Sequence, residues 1–521
     1  MNQFRLPGWL TACLFLLTFG QGYAQLAPAS IDSLVEKAMT TFHVAGAAVA
    51  VIKDGKIVHE KGYGVRSVVS KLPVDVHTNF QIASNSKAFT TTALAILVDE
   101  GKLSWKDKVT TYIPEFKMYN DYVTENFLVE DLLTHRSGLG LGAGDLMEFP
   151  DGTDFSIKDV LTNFQYFKPV SAFRTQFDYD NQLYLVAGEL IARVSGMSWE
   201  KFVQARIVDP LQMTHTYTTL AAADKINMAT PHATSGGLIR PISFFSDQMN
   251  GGAGGMISNV DDMAKWMLMH LHEGKYGPQF NQLLVSAKRH QELWTMHTVM
   301  ETIRNPRYTS HFNGYGLGWD LQDIRGNLLV SHTGGLPGML TSVTLVPDLQ
   351  LGIIVLTNTE DGGAALFSTV RQTILDSYLG LDNFGWTARI ARNFQARAGT
   401  GDSVTRKVWA AVAAAKNTAV NNDNFTGVYE DKWFGKVNVF MKNNQLWFAA
   451  ARSPKLNGAL QFYNANTFAV HWAYQDMPAD ALVMFTLDEN GNAQGIRLKG
   501  ISPNIDFSFD FQDLDLRRII Q

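Results

Sequence analysis

The chain has 521 residues, a formal net charge of -5, 46% apolar residues and 18% charged residues. This is an ordinary globular balance, which excludes long disordered regions. The sequence has no dense run of Lys and Arg, so we expect no nucleic acid partner. The length exceeds what one hydrophobic core usually serves and therefore predicts two domains.

The N-terminus has the pattern of a secretory signal peptide. Arg5 precedes an apolar run over residues 10–19, and small residues stand at the positions before Gln25 that a signal peptidase reads. The run is shorter than the ~20 residues that a membrane-spanning helix needs, so we expect no stable membrane span. We predict that residues 1–24 are a signal peptide cleaved near Ala24, and that the mature chain is periplasmic or secreted.

A second interpretation of this segment is a lipoprotein signal, because Leu-Thr-Ala precedes Cys13. The main apolar run follows Cys13 instead of preceding it, which favours the ordinary signal peptide. Cys13 is the only cysteine. Cleavage at Ala24 would therefore leave no thiol, disulfide or cysteine ligand in the mature chain.

The first domain, predicted over residues 25–384, begins and ends with strand patterns around a helical middle. An Asp54-Gly55 turn between two β-rich runs predicts a hairpin near its start. Predicted helices span 30–42, 84–100 and 363–379, and predicted strands span 47–52, 56–63, 314–321, 328–331, 340–346 and 351–357. Strands from both ends would form one antiparallel sheet flanked by helices, an α/β fold.

The rest of the chain predicts a helical linker over residues 385–420 and a second domain over residues 421–521. Eight short β-rich runs at even spacing indicate an up-and-down antiparallel β-barrel, with turn sequences between several of them. The runs span 426–430, 436–441, 445–450, 460–463, 467–472, 482–487, 493–498 and 507–511. We expect Trp433, Trp447 and Trp472 to pack in cores and not to form a ligand cage.

Ser84 and Lys87 are three residues apart at the start of a predicted helix, which places a hydroxyl and an ammonium on one face. An alcohol is a poor nucleophile at neutral pH, and a neighbouring lysine lowers the cost of removing its proton. The pattern alone is weak evidence, since Ser198 and Lys201 have the same spacing. We interpret Ser198 as a helix cap.

Tyr179 and Asn181 are two residues apart, a spacing that lets both side chains point into one cleft. We expect a lysine beside Tyr179 to lower the pKa of the phenol, which would let it accept and return the serine proton. Asn181 is expected to orient Lys87 and a substrate amide. Alone, this pattern would be an ordinary turn.

The third pattern is His332, Thr333, Gly334 and Gly335 at the end of a predicted strand. An edge strand beside a nucleophile presents backbone amides to the cleft. The amides of Gly335 and Ser84 would form an oxyanion hole, in which each donor contributes about 3 kcal/mol. Alone, this pattern would be a glycine-rich turn.

In this order and spacing, the three patterns resemble those of class C β-lactamase-like enzymes. That group includes penicillin-binding proteins, D,D-peptidases, D-aminopeptidases and esterases. Further matching stretches lie at 132–139, 253–263, 315–319 and 346–348, so that the resemblance covers residues 28–380. The segment from 425 to 512 resembles the small lipocalin-like barrel attached to some members.

The resemblance implies a β-lactamase/transpeptidase-like fold with Ser84 as the acylated nucleophile. It implies that Lys87 and Tyr179 handle the proton and that the amides of Ser84 and Gly335 form the oxyanion hole. The substrate-binding residues that it implies are Asn181, His332, Thr333 and Gly334. His332 is a departure, because β-lactamases of this class usually have lysine there. A neutral histidine would hold a substrate carboxylate less firmly, which argues against efficient β-lactam hydrolysis.

Two other classes of hydrolase are disfavoured. His270 and His272 are two residues apart on a predicted helix, so they do not face each other and we expect no metal site there. The chain has no Gly-x-Ser-x-Gly elbow of an α/β-hydrolase. We therefore expect a serine hydrolase without metal or cofactor, acting on amide or ester bonds of small or D-residue-containing peptides. The alternatives are a β-lactamase and a non-hydrolytic penicillin-binding sensor or scaffold, and homo-oligomer formation stays open.

Overall fold

The computed structural model describes residues 25–235, 238–246, 249–302 and 304–519. The predicted signal peptide over 1–24, with Cys13, lies outside the described residues. The described chain forms an antiparallel sheet flanked by helices, followed by a closed barrel. Both predicted folding units are therefore present in the structure, in the predicted order.

The first unit is built on an eight-stranded antiparallel sheet in the order β2-β1-β14-β13-β12-β11-β10-β9. The remaining strands of this unit form two-stranded ribbons, β3 with β6, β4 with β5 and β7 with β8. The bounds are β1 Gly46–Lys53, β2 Lys56–Gly64, β3 Phe80–Gln81, β4 His232–Ser235, β5 Leu238–Pro241, β6 Ile257–Ser258, β7 Lys275–Tyr276, β8 Gln282–Leu283, β9 Thr298–Val299, β10 Asn313–Tyr315, β11 Asp320–Ile324, β12 Asn327–Leu336, β13 Met339–Val346 and β14 Leu351–Thr357.

Helices cover both faces of this sheet, and one long helix follows it. Their bounds are α1 Pro28–Phe42, α2 Ser86–Asp99, α3 Val109–Tyr112, α4 Asp121–Asn126, α5 Ile157–Asn163, α6 Gln182–Ser195, α7 Trp199–Val203, α8 Gly251–Gly254, α9 Val260–Leu271, α10 Ala287–Leu293, α11 Glu360–Tyr378 and α12 Trp386–Ala414. One core lies between the sheet and α2, α6 and α9, and a second lies between the sheet and α1 and α11.

The two ends of the first unit meet in the sheet, as the sequence predicts. Strand β1 pairs with β2 on one side and with β14 on the other. A strand covered on both faces reads as a continuous apolar run, and residues 46–52 of β1 are all buried. The chain from α2 to α10 is inserted between β2 and the later strands of the sheet, and it supplies Tyr179 and Asn181 to the cleft.

The second unit is a closed barrel in which each strand pairs with the next and β22 returns to β15. The bounds are β15 Gly427–Asp431, β16 Gly435–Lys442, β17 Gln445–Ala450, β18 Asn457–Asn464, β19 Thr467–Val470, β20 Ala481–Leu487, β21 Ala493–Gly500 and β22 Leu516–Ile519. Its interior holds the rings of Phe425, Tyr429, Phe468 and Phe485, whose centroids lie 4.9–6.0 Å apart where they touch. Side chains therefore fill the barrel.

Two of the predicted strands are wrong. Residues 314–321 form the ends of two antiparallel strands, β10 and β11, because a turn in which Gly316 N–H donates to the Trp319 carbonyl interrupts them. Residues 507–511 form no strand, and the eighth barrel strand is β22 instead. The alternation Phe-Ser-Phe-Asp-Phe has the period of a strand, but the segment docks against the first unit.

The predicted linker is a helix that packs on both units. The first half of α12 joins the core on α1 and α11, where the ring centroids of Phe394 and Phe42 lie 5.9 Å apart. Its second half lies on the barrel, where Trp409 Nε1 donates to Asp480 and Val412 is buried. The helix α12 is therefore a packed connection between the units.

Candidate active site

Ser84 lies in a single helical turn, Ala83–Asn85, directly before α2. This turn places its side chain at the bottom of a cleft and leaves it partly exposed, whereas Lys87 one turn later is fully buried. The Lys87 Nζ lies 3.2 Å from the Ser84 Oγ. The spacing of the two residues thus brings the amine and the hydroxyl together as the sequence predicts.

The Lys87 ammonium donates all three of its hydrogen bonds inside the protein. Its acceptors are Ser84 Oγ, Asn181 Oδ1 at 2.7 Å and the Ala253 carbonyl at 3.0 Å. Burial lowers the pKa of Lys87 to about 7, against the opposing attraction of neighbouring carboxylates. Near neutral pH, a large fraction of this lysine is therefore an uncharged amine.

Tyr179 lies over this amine, with its ring centroid 4.8 Å from Lys87 Nζ. The predicted lowering of its pKa is wrong: burial raises the pKa of Tyr179 well above its ordinary value, and the contact with Ser84 opposes this only in part. The loss of solvation is the largest cause, and the nearby Asp320 and Asp145 raise the pKa further. Tyr179 is therefore protonated at neutral pH.

His135 fixes the segment that carries Tyr179. Its ring stacks on the Tyr179 ring at 4.2 Å between centroids, and its Nδ1 accepts a hydrogen bond from the backbone N–H of Asp180. Burial holds the pKa of His135 well below its ordinary value, so the ring is neutral. The matching stretch 132–139 includes His135, but its sequence gave no sign of this role.

Asn181 connects Lys87 to a buried carboxylate. Its Oδ1 accepts from Lys87, and its Nδ2 donates to Asp145 Oδ2 at 2.8 Å. Asp145 is fully buried, and burial raises its pKa to about 7. Burial likewise raises the pKa of the neighbouring Asp180 to about 8. Neither carboxylate was predicted, because no local pattern marks them.

Strand β12 forms the opposite wall of the cleft. Thr333 and Gly335 face the opening, and Gly334 lies against the nucleophile turn. A Cβ at Gly334 would meet the Ile82 carbonyl at 2.2 Å and Thr341 Oγ1 at 2.4 Å. Only glycine lets β12 approach this turn so closely. The strand edge therefore reaches Ser84, as the predicted oxyanion hole requires.

His332 is buried and turned toward the protein. The Thr333 carbonyl can only accept, so His332 Nδ1 carries the proton and donates to it. His332 Nε2 is then unprotonated and accepts from the Tyr315 hydroxyl at 2.9 Å. Burial and the nearby Lys87 lower the pKa of His332 to about 3. The ring at this position is therefore neutral, and both of its nitrogens are engaged.

These residues surround a cleft of about 380 Å³. Ser84, Tyr179 and Asn181 line one side, and residues 332–337 of β12 and its turn line the other. Among the described residues, no Lys or Arg lines this cleft, whereas four carboxyl groups do. They are Glu148, Asp320, Glu360 and Asp506. Burial raises the pKa of Asp320 to about 7 and that of Glu360 to about 8, so much of this lining is uncharged near neutral pH, and it offers an anion no Lys or Arg.

The barrel supplies part of the cleft wall. Phe507 and Ser508, in the segment predicted as a strand, line it together with Asp506 and Met477. The ring of Phe507 meets the ring of Tyr179 edge-on at 5.9 Å. The contact with the cleft explains why residues 507–511 leave the barrel wall, and sequence patterns could not reveal it.

The other candidates from the sequence lie outside the site. Ser198 is the N-cap of α7 and accepts from the Lys201 backbone N–H, so the helix-cap interpretation is confirmed. His270 is buried, and its Nδ1 lies 3.0 Å from His290 Nε2. Among the residues that the structure describes, no helix is long and apolar enough to cross a membrane.

Comparisons with known proteins cover both units of the chain. The Beta-lactamase family matches residues 31–373, and the Domain of unknown function DUF3471 matches residues 413–518. The octameric penicillin-binding protein homologue from Pyrococcus abyssi aligns over 94% of this chain and 99% of its own length, with a TM-score of 0.58 and 22% identity. The β-lactamase/transpeptidase-like fold with a C-terminal barrel is therefore confirmed.

Sequence relatives fall in the same group. The chain is 30% identical over 338 residues to Unguisins hydrolase ungD' of Aspergillus campestris, covering 63% of this chain and 60% of that protein. It is 28% identical over 335 residues to Protein flp of Staphylococcus aureus, covering 63% and 62%. The chain thus spans about three fifths of the length of these curated relatives.

A serine hydroxyl beside an amine that can take its proton is an arrangement that activates serine for acyl transfer. Because the family match covers most of the first unit, the chain belongs to the beta-lactamase family, whose members are serine hydrolases.

Proposed function

We propose that this chain is an exported serine hydrolase that forms an acyl-enzyme on Ser84 and cleaves amide or ester bonds of small peptides. The observation that carries the proposal is the contact of Ser84 Oγ with Lys87 Nζ at 3.2 Å. The pKa of this buried amine is about 7, and the hydroxyl opens into the cleft. Curated relatives named as hydrolases support the same class of reaction.

In the proposed reaction, the neutral amine of Lys87 takes the Ser84 proton as the serine oxygen bonds to the substrate carbonyl carbon. The amides of Ser84 and Gly335 stabilise the carbonyl oxygen as it becomes negative. Tyr179, which is protonated before this step, donates its proton to the leaving group and then takes one from Lys87. Water then releases the acyl group by the reverse sequence.

The groups that line the cleft determine which substrates it favours. Carboxyl groups line it, and the neutral His332 takes the position of a permanent cation. A substrate carboxylate would therefore find no opposite charge, which makes a neutral or cationic acyl group the better fit. This supports peptidase or esterase activity over efficient β-lactam hydrolysis, and a penicillin is expected to acylate Ser84 slowly.

The nucleophile is tested by intact-mass spectrometry of the mature protein with a fluorophosphonate and with a penicillin. We expect the wild type, but not Ser84→Ala, to gain one fluorophosphonate adduct, and labelling to accelerate as the pH rises through about 7 because the neutral amine accumulates. Rapid loss of the penicillin adduct would indicate β-lactamase turnover instead. An unlabelled wild type, or equal labelling of Ser84→Ala, would refute the assignment.

Turnover is tested with two esters whose acyl groups are similar in length and differ in charge, p-nitrophenyl valerate and p-nitrophenyl hemisuccinate. We expect multiple turnovers per chain and a higher kcat/KM for the uncharged ester. One acyl group trapped per chain with both esters would indicate a sensor, and a preference for the hemisuccinate would contradict the proposed substrate class.

A further inference from the structure

The barrel reaches the proton-handling residues through one hydroxyl group. Ser508, in the loop between β21 and β22, donates a hydrogen bond from its Oγ to Asp145 Oδ2 at 2.9 Å. The same carboxylate oxygen accepts from Asn181 Nδ2, and Asn181 Oδ1 accepts from Lys87 Nζ at 2.7 Å. A continuous chain of hydrogen bonds therefore runs from the barrel to the amine beside Ser84.

The charged forms of Asp145 and Lys87 set the polarity of this hydrogen-bond chain. An ionised Asp145 can only accept and the ammonium of Lys87 can only donate, so in that state the amide of Asn181 takes only one orientation between them. Ser508 is 3% exposed and Asp145 is fully buried, so water does not compete for these bonds. Removing the Ser508 hydroxyl would leave Asp145 with fewer donors than its charge requires.

The loop that carries Ser508 is held firmly against the first unit. Asp510 accepts from the backbone N–H of Gly144 at 2.8 Å and of Leu146 at 2.9 Å, on either side of Asp145. A Cβ at Gly142 would meet the Phe507 carbonyl at 2.7 Å, so this glycine allows the loop to approach. The barrel therefore fixes both the backbone and the carboxylate of the Asp145 segment.

We propose that Ser508 is a positioning residue of the catalytic site, which holds Asp145 so that Asn181 orients the Lys87 amine toward Ser84. The inference rests on the proposed role of Lys87 in acyl transfer. The barrel is then a functional part of the hydrolase and not an appended module. Ser508 itself touches neither the nucleophile nor the amine.

The charged and titratable groups around this hydrogen-bond chain determine whether the pKa of Lys87 rises or falls. Lys87 faces the carboxyls of Asp145, Glu148 and Asp180 and the neutral rings of His135 and His332.

Around Asp145 lie Lys87, Asp180 and, from the barrel, Asp510. Without the Ser508 hydroxyl, Asp145 loses a bond that favours its ionised form, so its pKa rises and less of it is charged. The weaker attraction then lowers the pKa of Lys87.

The test measures the titration of Lys87 directly, by NMR of full-length protein containing [6-¹³C]lysine, with the resonance assigned in Lys87→Arg. We expect Ser508→Ala to lower the Lys87 midpoint by ~0.5 pH unit or more. The matched control is Ser453→Ala, which removes a hydroxyl from another buried serine of the barrel that does not line the cleft. Its midpoint is expected to equal that of the wild type.

A double-mutant cycle tests whether Ser508 acts through Asp145. In the Asp145→Asn background, Ser508→Ala is expected to leave the Lys87 midpoint unchanged. In the wild-type background, Ser508→Ala is expected to lower kcat for p-nitrophenyl acetate with little change in KM, because Asn181 no longer orients the Lys87 amine toward Ser84. Equal midpoints for Ser508→Ala and Ser453→Ala, or additive shifts in the cycle, would overturn the inference. An unlabelled Ser84 in the wild type would instead refute the proposed function, because the titration does not require turnover.

Discussion

The two units contribute to the cleft in different ways. The first unit supplies the nucleophile turn and, opposite it, β12, which together form the first wall and carry short sequence patterns in a sheet-and-helix frame. The second wall, residues 506–511 of the barrel, has no such pattern, and its Ser508 contacts Asp145, which lies 363 residues earlier in the sequence. The comparison shows that short sequence patterns identify the candidate catalytic side chains, whereas the positions of these side chains depend on contacts between distant segments.

The largest effect is expected where the first wall is most tightly packed. Gly334→Ala would push β12 away from the Ile82 carbonyl, and a displacement of ~1 Å is expected to lower kcat/KM about 100-fold. The control is Gly399→Ala, whose Cβ would meet nothing within 4 Å. Activity of Gly334→Ala within threefold of the wild type would show that the wall tolerates movement.

A smaller effect is expected when the second wall is loosened. Asp510→Asn replaces one of the two oxygens that accept from Gly144 and Leu146 with an NH2 group, which cannot accept, so one of these two hydrogen bonds is lost. We expect a loss of ~1–3 kcal/mol in unfolding free energy and a roughly tenfold loss in kcat, measured by thermal unfolding and ester hydrolysis. Asp488→Asn, at the turn between β20 and β21, also alters a carboxylate that accepts backbone N–H groups, and it should leave kcat unchanged. Equal kcat values for the two variants would mean that the docking contact is dispensable.

The inner face of the second wall is expected to set substrate size. Phe507 is 38% exposed and lies against Tyr179, so Phe507→Ala should widen the cleft. The ratio of kcat/KM for a bulky acyl ester to that for the acetate is expected to rise by ~5-fold. Phe440→Ala removes a barrel phenylalanine of similar exposure, 40%, that does not line the cleft. A ratio that responds equally to both changes would contradict this role.

The smallest effect is expected where the two walls meet. Burial raises the pKa of Glu360 from 4.5 to about 8. The neighbouring Asp361 and, from the barrel loop, Asp506 raise it further. The folded chain thus keeps a proton that the unfolded chain releases, so this group contributes stability below pH 4.5 that is lost as the pH rises through about 8.

Glu360→Gln removes this dependence. We expect the Tm of Glu360→Gln relative to the wild type to rise by about 2 °C between pH 5.5 and pH 8. Glu489→Gln, at an exposed position of the barrel, is the control and should show the same difference at both pH values. A Tm difference for Glu360→Gln that falls with rising pH would show that Glu360 is ionised in the fold.

The sequence was informative wherever a local pattern determines structure. The spacing of Ser84 and Lys87 follows from helix geometry, and strand alternation identified seven of the barrel strands. The same alternation failed at residues 507–511, because docking on the first unit overrode it. Alternation reports which side chains are buried and does not report which surface buries them.

The pKa shifts in the site could not be predicted from the sequence for a related reason. The pKa of Tyr179 was predicted with the wrong sign because the sequence shows its cationic neighbour but not its burial. Asp145 and Ser508 are 363 residues apart, and neither stands in a recognisable motif. Their contact exists only in the folded chain, so no local reading of the sequence could have paired them.

The separation of Ser508 from Asp145 also bears on how the protein matures. Because a chain is made and exported from its N-terminus, the whole first unit would emerge before the residues that complete the cleft. The partly made chain would therefore fold around an unfinished site, and the last strands of the barrel would close it. Such long-range contacts also slow folding. Activity would then appear late, as the final event in the assembly of the chain.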